Sequence, residues 1–327
     1  MNNTDYQSIL KDEMLSFAEL RKIQGYDYIG LTYALLRLDR FLIENNLSEK
    51  AISKEICDLW CKRRNCEKES TYSGRIWTMR IFCRYLNSIG IPAVAPPKNI
   101  TSKRPKYDAH IYTDDELRRF FKAADTVRAN ARLSPYLDKT LPLFYRILYT
   151  SGLRLSELRL ARIKDFDLEN GYITVNESKN HKSRIVPIHP ELVKRCIDLK
   201  TDIHQTSSDD EYFFMVRQGE PMKASTMYKC FRHLLEKAGI PHTGHGPRIH
   251  DFRHTYAVNL LRKWVEEGKD LTAYLPYMRT MLGHETFNET AYYLKLTSQM
   301  FPYIKDQMQI TFPELIQEVQ FESREFY

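Results

Sequence analysis

Cysteine is scarce in this chain: six among 327 residues, at Cys57, Cys61, Cys66, Cys83, Cys196 and Cys230. So thin a supply excludes a disulfide-stapled scaffold and suits a reducing, cytoplasmic setting. No run of about 18 apolar residues occurs, so no membrane-spanning helix is expected. The opening MNNTDYQSIL carries no basic patch followed by an apolar core, so no secretory signal is read there. Walker and dinucleotide fingerprints are both missing, and no nucleotide cofactor is expected. Internal repeats and low-complexity tracts are missing as well. What remains is 43% hydrophobic and 28% charged, which excludes a disordered or collagen-like chain, and the length favours two domains. Lys plus Arg number 49 against 42 Asp plus Glu, a formal charge of +7 that permits a polyanionic partner without requiring one.

Residues 1–91 read as a helical bundle. Leu31, Ala34, Leu35, Leu38 and Leu42 share one helical face, and Ile76, Met79, Ile81, Phe82 and Tyr85 mark another. The later helices interleave Lys62, Arg63, Arg64, Lys68, Arg75, Arg80 and Arg84 with Trp60, Tyr72, Trp77 and Tyr85. Basic residues among stacking aromatics suit a phosphate backbone, though a solvated basic face has the same composition. Residues 92–112 bring Pro92, Pro96, Pro97 and Pro105 with Lys98, Lys103, Arg104 and Lys106, and read as an extended basic linker. Only residues 1–91 precede it, so a further DNA-binding module in front is not expected.

A second domain, 113–327, opens at Thr113-Asp-Asp-Glu116, a capping-box pattern before Leu117, Phe120 and Phe121. It reads as mainly helical with a small antiparallel β-sheet. Tyr172–Val175 and Arg184–Ile188 are β-branched runs flanking a basic hairpin tip that contains Lys179 and Lys182.

Functional side chains gather at element ends. Arg154 follows a Ser-Gly break and opens a helix, a place from which a guanidinium can hold a phosphate oxygen. His250 and Arg253 are three apart and share a helical face. Gly283 would end a helix, with His284 at the turn and Tyr292-Tyr293 beyond it. The cluster His242, His245, His250 and His254 raises a zinc site as a rival. Against it, Asp251-Phe252-Arg253 stands where the metalloprotease pattern needs a Glu beside its first His, and an Arg inside the cluster opposes a dication.

Taken in chain order, Arg154, Lys179, His250-x-x-Arg253, Leu-Gly-His284 and Tyr293 resemble the signature of the tyrosine recombinases, the phage-integrase family. The resemblance spans Thr113 to about Thr297, and the N-terminal bundle is more loosely similar to the family's core-binding domain. It implies that Arg154 and Arg253 clamp a phosphate with Glu157 in support, that Lys179 is a mobile hairpin lysine, that His250 and His284 are site histidines, and that Tyr293 is the nucleophile. Ser178 and Asn180 flank Lys179 where the family often has glycine. The implied partner is double-stranded DNA, contacted in addition through Arg63, Arg64, Arg75, Arg80, Arg84, Lys103, Arg104, Lys106 and Lys182, with no metal and no cofactor.

The implied chemistry cleaves and rejoins DNA strands through a 3′-phosphotyrosyl link. Fixed cations stabilise the charge on the phosphate oxygens, His250 takes the Tyr293 proton, and Lys179 protonates the leaving 5′ oxygen. Such a chain could serve as a phage integrase, a transposon recombinase acting on a mobile element, or a chromosome-dimer resolvase. A type IB topoisomerase would use the same chemistry, and a non-catalytic DNA-binding relative would keep the fold without it. Beyond Tyr293, an apolar series from Leu294 to Val319 suits a helix that docks on the next protomer of a homo-tetramer on DNA, or one that folds back on its own domain.

Overall fold

The computed structural model describes residues 6–24, 28–98, 108–176, 183–243, 246–284 and 286–301. The chain divides into two compact units, Met1–Lys106 and Tyr107–Tyr327. The first holds four helices, α1 (Lys11–Ile23), α2 (Tyr28–Glu44), α3 (Lys54–Cys61) and α4 (Glu69–Ser88). Their apolar stripes meet in a core that includes Met14, Phe17, Leu35, Leu38, Leu42, Ile76, Met79 and Phe82, so the helical spacing of the sequence is the spacing of the core. The Ser53 hydroxyl caps α3 by accepting the Ile56 amide at 3.3 Å.

Arg75 departs from the expectation of a DNA-facing basic residue. Its side chain is 6% exposed, and its donors are spent inside the unit: on both carboxylate oxygens of Glu67 at 3.0 and 2.9 Å, on Lys62 O at 3.0 Å, and on Trp60 O. Trp60 returns a bond from its indole to Arg75 O at 3.1 Å, and the buried Tyr72 hydroxyl donates to Cys61 O at 2.9 Å. Arg75, Trp60 and Tyr72 therefore tie α3 to α4 rather than reading a phosphate. Arg80 is committed in part, donating to Pro96 O at 3.1 Å and Pro97 O at 2.6 Å. Arg64 and Arg84 are exposed; Arg63 is exposed too and pairs with Glu69 at 2.5 Å. Lys103, Arg104 and Lys106 lie outside the described residues.

The expected linker is shorter than 92–112. Val94 N donates to Ile52 O and Ile52 N to Pro92 O, at 2.9 and 3.0 Å, and the Asn87 amide group brackets Ala93, so residues 92–97 belong to the first unit. At the far end, Tyr112 is buried and its amide donates to Thr255 Oγ1 at 3.0 Å, which makes it part of the second unit.

The second unit runs α5 (Asp114–Ala124), α6 (Leu137–Ser151), α7 (Leu155–Leu160), β1 (Phe166–Asp167), β2 (Tyr172–Val175), β3 (Arg184–Pro187), α8 (Pro190–Ile203), β4 (Met215–Arg217), β5 (Glu220–Pro221), α9 (Ala224–Lys237), α10 (Asp251–Glu266), α11 (Leu271–Leu282) and α12 (Phe287–Met300). The capping box forms as read: Thr113 Oγ1 accepts the Glu116 amide, and Glu116 returns a bond to the Thr113 amide. The expected hairpin strands, β2 and β3, pair antiparallel with Ile173 opposite Val186 and Val175 opposite Arg184. A third strand, β1, joins them, and β4–β5 make a separate ribbon. These extra strands have two or three residues, too few for a period to register. Helix α10 runs through the middle, with Phe252 among the aromatic rings of Phe120, Tyr145 and Phe231 and its later turns against α11 and α12. Among the described residues no helix is long and apolar enough to cross a membrane.

Candidate active site

Two left-handed glycines frame the site. Gly152 (φ 64°) ends α6 and Gly283 (φ 63°) ends α11. A Cβ on Gly152 would lie 2.5 Å from a Tyr256 ring carbon, and one on Gly283 would lie 2.8 Å from Arg184 Nη1. Both sites thus require glycine on backbone and steric grounds. The carbonyls these turns release are then taken by arginines. Arg253, in the first turn of α10 and 2% exposed, donates to Gly152 O at 2.8 Å and Leu282 O at 2.5 Å. Arg154, just before α7, donates to Gly283 O at 3.0 Å and to Glu157 Oε1 at 2.8 Å.

Tyr293, on α12, is 3% exposed. Its ring stacks on His284 with centroids 5.7 Å apart and planes 6° apart, and tilts against His254 at 5.5 Å. Burial raises its pKa, opposed by the charge of Arg253 and a hydrogen bond with it. His284 is oriented by Thr290, whose hydroxyl is 2.9 Å from Nδ1. His250 meets His254 edge to face at 4.8 Å. Glu157 is the carboxylate of this cluster; it accepts from Arg154 and Arg184, and those contacts outweigh burial to hold its pKa below the ordinary value. Two guanidiniums thus share one ionised carboxylate, and the third, Arg253, spends its donors on backbone carbonyls instead. Such an unbalanced, largely desolvated cationic pocket calls for an anion, and a planar guanidinium fork matches the oxygens of a phosphodiester. A profile of the phage integrase family matches residues 111–300, more than half of the chain.

The chain belongs to the phage integrase family. A Sinorhizobium fredii protein named as an integrase/recombinase, y4rB, is 26% identical to it over 293 residues, covering 88% of this chain and 93% of that protein. A tyrosine recombinase of Pseudothermotoga lettingae is 27% identical over 286 residues, covering 86% and 91%. In fold it is similar to a XerH site-specific recombinase in a post-cleavage complex with palindromic difH substrate (TM-score 0.61, 18% identity, 89% of this chain and 80% of that one).

In this integrase-family chain Arg154, Glu157, His250, Arg253, His284 and Tyr293, expected from the sequence, come together in one pocket. Lys179 and Lys182 fall between β2 and β3, outside the described residues. His245 of the histidine cluster is outside them too, and among the described residues no three His, Cys, Asp or Glu side chains converge as metal ligands. Tyr256 and Thr290 were not singled out by sequence, His254 was read only as one of the histidine cluster, and Arg184 was given no role in the site. Only Arg184 leaves a signal, since it shares the inward face of β3 with Val186, an odd place for a charge.

Burial, reinforced by neighbouring cations, pushes the histidine pKa values far below 6.5: His250 to about 3, His254 to about 4 and His284 to about 2. At neutral pH all three are neutral in the DNA-free protein. The unfolded chain takes up protons near 6.5 while the folded chain refuses them until about pH 4, so the unfolded state binds more protons in that window and stability is lost as pH falls. The melting temperature is expected to drop steadily from pH 6.5 to 5, with a shallower drop in His254→Phe. A flat profile would mean that the folded site accepts the protons.

Proposed function

We propose that this chain is a site-specific DNA recombinase that cleaves and rejoins strands through a 3′-phosphotyrosyl intermediate. The reading is carried by the convergence of Arg154, Arg253 and His284 on Tyr293, with His250 packed on His254, whose ring meets that of Tyr293. Arg154 and Arg253 neutralise the nonbridging oxygens as the Tyr293 oxygen attacks phosphorus. The O–P bond to tyrosine forms, the P–O5′ bond breaks, the phenolic proton passes to His250, and the departing 5′ oxygen takes a proton from Lys179. Burial holds the His250 pKa down to about 3 in the DNA-free site, so its role as base requires the negative charge of a bound phosphate to raise that pKa. Attack by a 5′-hydroxyl of another strand reverses each transfer and reseals the backbone, so no nucleotide need be spent.

Sequencing the DNA recovered in covalent linkage to the protein tests this directly. A defined site joined through its 3′-phosphate is the expected product. Failure to trap any DNA favours the non-catalytic DNA-binding alternative, and linkage scattered along plasmid DNA favours a type IB topoisomerase. Because arginines supply the positive charge and neutral histidines can add hydrogen bonds, cleavage is expected to persist at full rate in excess EDTA. Loss of cleavage there, with recovery on adding zinc, would return the histidine cluster to the role of a metal site.

Assembly is proposed to involve a homo-tetramer on DNA joined through the apolar segment beyond α12, which lies outside the described residues. Truncation after Phe301 leaves α12 whole. It is expected to preserve binding of one protomer to a half-site while reducing four-protomer complexes and strand exchange in native gels. Normal recombination by the truncated chain would exclude the connector.

A further inference from the structure

Arg184 takes no part in the chemistry proposed above, yet its side chain is 5% exposed and sits within the cationic cluster. It is the first residue of β3, opposite Val175 at the end of the hairpin strands. Its Nη2 meets Glu157 Oε2 at 2.6 Å, and its Nε donates to Met281 O at 2.9 Å. Its Nη1 lies under Gly283, in the space a Cβ there would need. One guanidinium therefore grips both α7, which Arg154 precedes, and the end of α11, which His284 follows.

The charges give that grip a second meaning. Glu157 accepts the Arg154 amide at 2.8 Å, Arg154 Nη1 at 2.8 Å and Arg184 Nη2 at 2.6 Å. Without Arg184 the carboxylate would belong to Arg154 alone and would cancel much of the field that Arg154 presents to an anion. A buried carboxylate facing a single guanidinium is close to a neutral pair, whereas one shared by two leaves a net positive charge.

We infer that Arg184 is a positioning residue of the phosphate site: it shares Glu157 so that Arg154 remains an effective cation, and it pins residues 281–284 so that His284 and the Gly283 carbonyl keep their places. This rests on the reading of Arg154 and His284 as groups that meet the scissile phosphate. It also links β3 to the arginine clamp through one side chain.

The test uses the full-length chain and a nicked duplex carrying the site recovered from its own covalent complex. It reads the single-turnover rate of adduct formation, half-site Kd and melting temperature. Arg184→Met should slow adduct formation by about 100-fold, the scale of a small misplacement at a reacting centre, with Kd changed by less than about threefold. Arg184→Lys, which keeps the charge but cannot span Glu157 and Met281 O together, should fall between the two. The deciding variant is Arg184→Met with Glu157→Gln. Removing the uncompensated carboxylate should restore at least about tenfold of the lost rate, a rescue that a purely structural role for Arg184 would not yield. A double variant no faster than Arg184→Met overturns the inference. If Arg184→Met does not fold, Arg184→Lys decides, and cleavage at the wild-type rate by that variant overturns it. A wild-type chain that forms no adduct overturns the recombinase reading and this role with it.

Discussion

Tyr293→Phe is expected to abolish the covalent protein–DNA adduct on a nicked suicide substrate, a loss on the order of 10⁴-fold or more, whereas Tyr292→Phe should retain adduct formation. Neighbouring residues on a helix point about 100° apart, so only one of the two phenols can face the clamp. Tyr293 is the one enclosed by His254, His284 and Arg253. Tyr292 is half-buried, and its ring meets His254 and Tyr293 from the side. The phenylalanine ring keeps both stacking contacts of Tyr293, so the folded protein should bind DNA normally and fail only in chemistry. An adduct that persists in Tyr293→Phe and vanishes in Tyr292→Phe would reassign the nucleophile.

The second large effect is expected from the clamp. Arg253→Ala and Arg154→Ala should each lower the single-turnover cleavage rate by about 10²- to 10³-fold, the scale on which a fixed donor stabilises charge that develops in the transition state. Half-site affinity should change far less, because under the proposed function many other phosphate contacts would carry most of the binding. Arg253→Ala also strips a donor from the Gly152 and Leu282 carbonyls, so it should melt earlier than Arg154→Ala, whose side chain is 29% exposed. Equal losses in affinity and rate would show that these arginines serve binding alone.

Much of this site was legible because its residues stand at element ends, where a glycine or a capping pattern marks the place. Gly152 and Gly283 punctuate two helices, with Arg154 two residues after the first and His284 directly after the second. Helices of the first unit were legible through Leu35, Leu38 and Leu42, whose spacing survives intact as core. The inward turn of Arg75 was not, since its partners Glu67, Trp60 and Lys62 are ordinary surface-type or aromatic residues whose convergence depends on how α3 meets α4. The same holds for Arg184, which meets Glu157 and the end of α11 only after the chain has folded; Met281 is 97 residues away. Local sequence records propensity and periodicity, and it carries no mark of which distant carbonyl will take a donor.

The packing of α12 on α10 within one unit has a genetic consequence. Tyr293 lies against His254, His284 and Arg253 of its own chain, so under the proposed chemistry each polypeptide would carry its own phenol and clamp. On that reading two defective chains, one lacking the phenol and the other lacking a clamp arginine, would have nothing to lend each other, and a mixture of them is expected to stay silent however readily they assemble.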